Sequence, residues 1–137
     1  MNRQWMLAAI AVVVIAAIVW RFYPQKAEPG TGKPIVNVTV PELDGMALAG
    51  KSAFDTNCAS CHGANAAGQD GVAPPLVHII YEPNHHGDQA FYLAARQGVR
   101  SHHWPFGDMP PVEGVTDRDI AKIVAYVRSL QRANGIK

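Results

Sequence analysis

Cysteine is scarce: the 137 residues hold only Cys58 and Cys61. A zinc ion bound by this pair would need its remaining ligands from other residue types. An excess of either charge is also missing. The formal net charge is +1, and from Pro24 onward 10 Lys and Arg stand against 11 Asp and Glu. Nucleic-acid binding requires a clustered basic surface, so no nucleic-acid partner is expected. Charge is absent altogether from Gln4 to Trp20, a run of 17 residues that are almost all Ala, Val, Ile, Leu, Met or Trp. A cleavable leader ends in a small-x-small site, whereas this run leads into the bulky Trp20-Arg21-Phe22-Tyr23-Pro24. The expectation is therefore a retained single transmembrane helix over 1–23, at the short end of what spans a bilayer. Trp5 and Trp20 bracket it as interfacial aromatics.

The two cysteines lie in Cys58-Ala59-Ser60-Cys61-His62. Two thiols three residues apart followed at once by an imidazole form the attachment site of one covalent c-type haem. On a helical turn both sulfurs face one side and reach the two vinyl groups of a single porphyrin, with His62 directed at the iron. A redox-active Cys-x-x-Cys pair, a structural disulfide or half of a zinc site are the other readings of the pair. Each leaves His62 without a role. If both cysteines form thioethers, neither a disulfide nor a free thiol remains.

Residues 24–41 read as a tether, with Pro24, Pro29, Pro34, Pro41, Gly30 and Gly32 discouraging helix and central strand. Within it, Val36 to Val40 alternates apolar and polar, which predicts a short extended segment lying on the domain. Residues 42–137 form the haem domain, expected to be all-α. Its first helix runs from about Asp44 through the haem motif, with Gly50 small enough to admit another helix and Phe54 one turn on. A second covers Asp88 to Gln97, with Asp88 as N-cap and Gly98 as the stop. A third starts at Thr116, with Asp119 completing a variant capping box. Ile120, Ile123, Val124, Val127 and Leu130 recur along it at helical spacing, and Gly135 ends it.

From about Gly45 to Leu130 the chain resembles the class I cytochromes c, small all-α haem proteins. Gly50 and Phe54 match the glycine and aromatic ahead of the family's haem motif, and Tyr126 matches the aromatic of its last helix. Pro75-Leu76 matches a Pro-Leu pair, and the resemblance implies that the Pro75 carbonyl accepts a hydrogen bond from His62, with Pro74 as the neighbouring alternative. Such a bond orients the ring and raises its basicity as a ligand. The resemblance also implies a sixth iron ligand at Met109, in Phe106-Gly107-Asp108-Met109-Pro110-Pro111. A thioether stabilises the ferrous state, and two following prolines stiffen the loop. Met1 and Met6 belong to the apolar run and Met46 precedes the haem motif, so Met109 has no methionine rival; a histidine ligand is the alternative.

Histidine is abundant here. Beside His62 the domain holds His78 and the pairs His85-His86 and His102-His103. Loop histidines satisfied by hydrogen bonds explain them, as would a second metal site for copper or zinc assembled from the two pairs. The function implied is one-electron transfer through a His/Met-ligated haem c, without catalysis because the iron has no open position. The resemblance places the haem domain on the outer, periplasmic face of the bacterial cytoplasmic membrane, with the N-terminus in the cytoplasm. The lipid bilayer and a membrane-associated electron donor and acceptor would be its partners. Two other classes fit the same residues: a fixed haem subunit of a larger membrane oxidoreductase (an oxidase, dehydrogenase or copper-dependent reductase), and a metal sensor.

Overall fold

A computed structural model describes Trp5, residues 12–16, 18–19 and 32–137 of the chain. The described residues beyond 41 fold around four helices: α1 (Gly45–Asn57), α2 (Ala59–His62), α3 (Asp88–Gln97) and α4 (Asp117–Ala133). Single 3-10 turns occupy Ala64–Ala66 and Ile79–Tyr81, and two isolated bridges, Gln69 with Ala73 and Val99 with Met109, are the only β pairings among the described residues.

The expected single-pass anchor is corrected here. Among the described residues no helix is long and apolar enough to cross a membrane. A span needs roughly 17–25 consecutive apolar residues in one helix, and no described helix supplies them. The membrane-spanning part of the fold class, and with it the single-pass placement at the cytoplasmic membrane with a periplasmic domain, is withdrawn. Most of 1–23, and the tether from Pro24 to Thr31, lie outside the described residues.

What remains of the tether lies on the domain. Ile35 and Val36 N–H both donate to the Ala67 carbonyl at 3.1 Å, and Asp70 N–H donates to the Lys33 carbonyl at 3.0 Å. Further on, Asn134 brackets Thr39, accepting from its N–H at 2.9 Å and donating to its carbonyl at 2.8 Å.

Helices α1 and α4 cross at the centre of the core, at Gly50. A Cβ placed there would overlap the Lys122 carbonyl oxygen and lie 2.6 Å from its carbon and 2.9 Å from Tyr126 Cβ. Only glycine permits this approach. One turn on, Phe54 and Tyr126 are both fully buried, with ring centroids 5.6 Å apart and planes tilted by 58°. The Tyr126 hydroxyl, its pKa pushed up to about 12 by burial and then by Asp55, donates to Asn65 Oδ1 at 3.1 Å. Asn65 (φ 55°) and Ala66 (φ 58°) are left-handed, turning the chain sharply after the haem motif.

The helix boundaries follow local chemistry. The Thr116 hydroxyl accepts from Asp119 N–H at 3.2 Å and donates to Asp119 Oδ2 at 2.5 Å, closing the start of α4. At α3 the N-cap is Gly87, and Asp88 stands instead in the first turn, where a carboxylate complements the helix dipole. The first helix does not run unbroken through the motif: Cys58 (φ −125°, ψ −32°) separates α1 from α2.

Candidate haem site

The short helix α2, with Cys58 as its N-cap, sets Cys58, Cys61 and His62 on one wall of a cavity of about 720 Å³. Leu76, Phe91 and Ile123 continue that apolar lining, and Val99, Trp104 and Met109 belong to it as well. Cys58 is half-buried against the core and Cys61 is exposed. Burial, and then the neighbouring Cys61, push the Cys58 thiol up to about 12.

His62 is buried, and its Nδ1 lies 2.8 Å from the Pro74 carbonyl oxygen. A carbonyl can only accept, so Nδ1 carries the proton and Nε2 keeps its lone pair. Burial lowers the His62 pKa, against the smaller opposing effect of that carbonyl, and the imidazole is held neutral as a metal ligand requires. The carbonyl is that of Pro74, where Pro75 was expected. Pro75 is instead fully buried beneath this turn.

Met109 also lines the cavity, and its backbone is pinned. Met109 and Val99 exchange N–H to carbonyl hydrogen bonds, both of 2.9 Å. Gly98 (φ +74°) makes that pairing possible, since a Cβ there would overlap the Met109 carbonyl oxygen. The intervening loop is braced by Ser101, whose N–H donates to Asp108 Oδ1 at 2.8 Å and whose hydroxyl donates to the Trp104 carbonyl at 2.5 Å.

These walls fit a haem. The cavity has the size and apolar lining of a cofactor site. Its thiols stand where vinyl groups could be bonded, with a neutral, oriented imidazole beside them. Trp104 Nε1–H is buried in the same wall. It offsets part of the rise that burial causes in the Tyr81 pKa, yet makes no hydrogen bond of good geometry. A buried donor is thus left for a polar substituent of the bound group.

Two polar residues that sequence periodicity passed over hold the distal loops. Arg128 and Gln131 are buried on the inner face of α4. Arg128 donates to the Tyr81 carbonyl at 2.7 Å, the His86 carbonyl at 2.5 Å and Asp88 Oδ1 at 2.8 Å, and Gln131 donates to the Leu76 carbonyl at 2.8 Å. Their signal was in the pattern: each stands four residues after an apolar member of the stripe, Val124 and Val127.

The fold and cavity define a small helical domain built around a covalently attached haem, and comparison with known proteins agrees. The family model described as Cytochrome c matches residues 47–131. The chain belongs to the cytochrome c family, whose relatives here are electron-transfer proteins or subunits, and carries covalent haem c. It is 34% identical over 111 residues to the cbb3-type cytochrome c oxidase subunit FixP of Sinorhizobium medicae, covering 68% of this chain and 33% of the relative. Cytochrome c-554(547) of Halothiobacillus neapolitanus is 31% identical over 96 residues, covering 64% of this chain and 99% of the relative. The cytochrome c subunit of the bc1 complex of Mycobacterium leprae is 37% identical over 67 residues, covering 47% and 21% respectively. The chain thus spans about a third of the length of its oxidase-subunit relative.

Proposed function

We propose that His62 and Met109 are the two axial ligands of the haem iron, and that the protein is a one-electron relay serving membrane-associated oxidoreductases. Covalent haem c supplies the one-electron couple. The chain's own residues hold that couple in place. Pro74 fixes the His62 ring with Nε2 free, and the Val99 pairing fixes the Met109 backbone. The observation that carries the reading is that both side chains line one cavity on rigid supports. A site braced at both ends changes little between oxidation states, and a thioether ligand favours the reduced one. With both axial positions filled by the chain, no position is left for substrate.

Membrane-associated partners are supported by the relatives, two of which are named as subunits of an oxidase and a bc1 complex. Those names also favour a second reading, a fixed subunit of such a complex. Mild detergent extraction separates the two: a stoichiometric oxidoreductase that stays bound supports the fixed subunit, and a monodisperse single chain supports the relay. The ligation is tested with carbon monoxide. Ferrous protein at neutral pH should leave it unbound, and tight binding would show an open position.

A further inference from the structure

His85 and His103 lie 18 residues apart in sequence, and folding brings the two histidine pairs together. His85 Nε2 and His103 Nε2 are 3.4 Å apart, and one ring nitrogen from each of His85, His86 and His103 falls within 4.8 Å of the other two. Two ligands of one ion at about 2.05 Å stand roughly 2.9 Å apart at a right angle and roughly 3.3 Å apart in a tetrahedron, so a shift of a few tenths of an ångström lets His85 and His103 share a tetragonal copper(II). His102 packs against this group, its ring centroid 4.2 Å from that of His103.

One of the three rings, His86, is also oriented as a ligand is. His86 Nδ1 lies 2.6 Å from the Ile80 carbonyl oxygen, which only accepts, so that nitrogen holds the proton and Nε2 keeps its lone pair. His102 is set the same way by the Arg100 carbonyl at 2.8 Å. A carbonyl behind the non-coordinating nitrogen is the usual support of a metal-bound histidine. The backbone beneath is rigid on both sides. Arg128 holds the His86 carbonyl from α4, and the Ser101 bonds close the loop that carries His102 and His103.

We propose that His85, His86 and His103 form a second metal site, taking a copper(II) ion in preference to zinc(II), beside the haem cavity. The donor set is all imidazole, which suits both ions, and copper(II) stands highest in the affinity order of divalent first-row metals. His86 and His103 also line the haem cavity, so an ion held here is a near neighbour of the redox centre. The proposal rests on Met109, and not His86 or His103, filling the sixth iron position.

The test uses the full haem-loaded chain without a histidine tag, titrated with copper(II) and separately with zinc(II) against a competing chelator. One copper per chain should bind more tightly than zinc, with nitrogen hyperfine structure in the copper EPR signal. Loss of an outer partner alone weakens a metal site 10–100-fold, so His103→Ala should cost at least about 100-fold. His85→Ala, at a second exposed position, should cost as much, and an unchanged haem spectrum in both verifies the fold. No stoichiometric copper, zinc binding ahead of copper, or wild-type affinity in both variants would overturn the proposal.

Discussion

Gly50→Ala places a methyl group where α1 and α4 touch. The new Cβ would overlap the Lys122 carbonyl oxygen and stand 2.6 Å from its carbon and 2.9 Å from Tyr126 Cβ. None of these atoms is the free end of a flexible side chain, so the helices themselves must part by about 1 Å to restore an ordinary carbon–carbon contact. A gap of that size forfeits a quarter to a half of each dispersion contact it opens. The Phe54 and Tyr126 rings, fully buried beside the crossing, bear most of the loss. At about 0.15 kcal/mol per atom pair, the two rings together lose roughly 3–4 kcal/mol. Alanine's better helix propensity returns about 1 kcal/mol. The net destabilisation is roughly 2–3 kcal/mol, a fall in Tm of about 10–20 °C for a domain of this size. Urea unfolding of the haem-loaded protein, followed by circular dichroism, measures it, with an unchanged m-value showing that the denatured state is the same. A variant as stable as the wild type, or more stable, would show that propensity outweighs packing and that the helices do not meet at Gly50.

Two further changes probe the supports of the site. Arg128→Met removes the guanidinium that lies over Phe91 and strips donors from the Tyr81 and His86 carbonyls, and should destabilise by about 3 kcal/mol in the same unfolding experiment. The pH dependence of α4 follows from Asp119, whose pKa is lowered by the Thr116 hydroxyl and then by Lys122. Because its folded pKa lies below the unfolded value, its contribution is complete above the ordinary carboxylate range and disappears as pH falls through the folded pKa. The Tm advantage of wild type over Asp119→Asn should therefore be level near neutrality and shrink on acidification. An advantage that grows in acid would contradict the capping geometry.

Features set by near neighbours in the chain were legible from sequence. The haem motif is a matter of five adjacent residues, and α4 shows itself through apolar spacing and a local cap. Gly50 stood out because a close helix crossing demands a residue without a side chain. The choice between Pro74 and Pro75 was not legible, since which carbonyl meets His62 depends on backbone rotation that two successive prolines do not distinguish. Arg128 and Gln131 escaped notice because periodicity counts apolar residues, and their partners are carbonyls more than 40 residues away. The meeting of His85 with His103 is likewise tertiary: it arises from the way Arg128 and the Ser101 turn fold two loops toward each other. The apolar N-terminal run read as a span from its composition and length, yet among the described residues no helix is long and apolar enough to cross a membrane.

The most direct test of the central claim is the ferric optical spectrum of the wild type beside that of Met109→Ala, with carbon monoxide then added to both in the ferrous state. Ligation by His62 and Met109 predicts a thioether-to-iron band in the wild type that vanishes in the variant, and carbon monoxide binding only by the variant. A band that survives in Met109→Ala, or a wild type that binds carbon monoxide tightly at neutral pH, would contradict it.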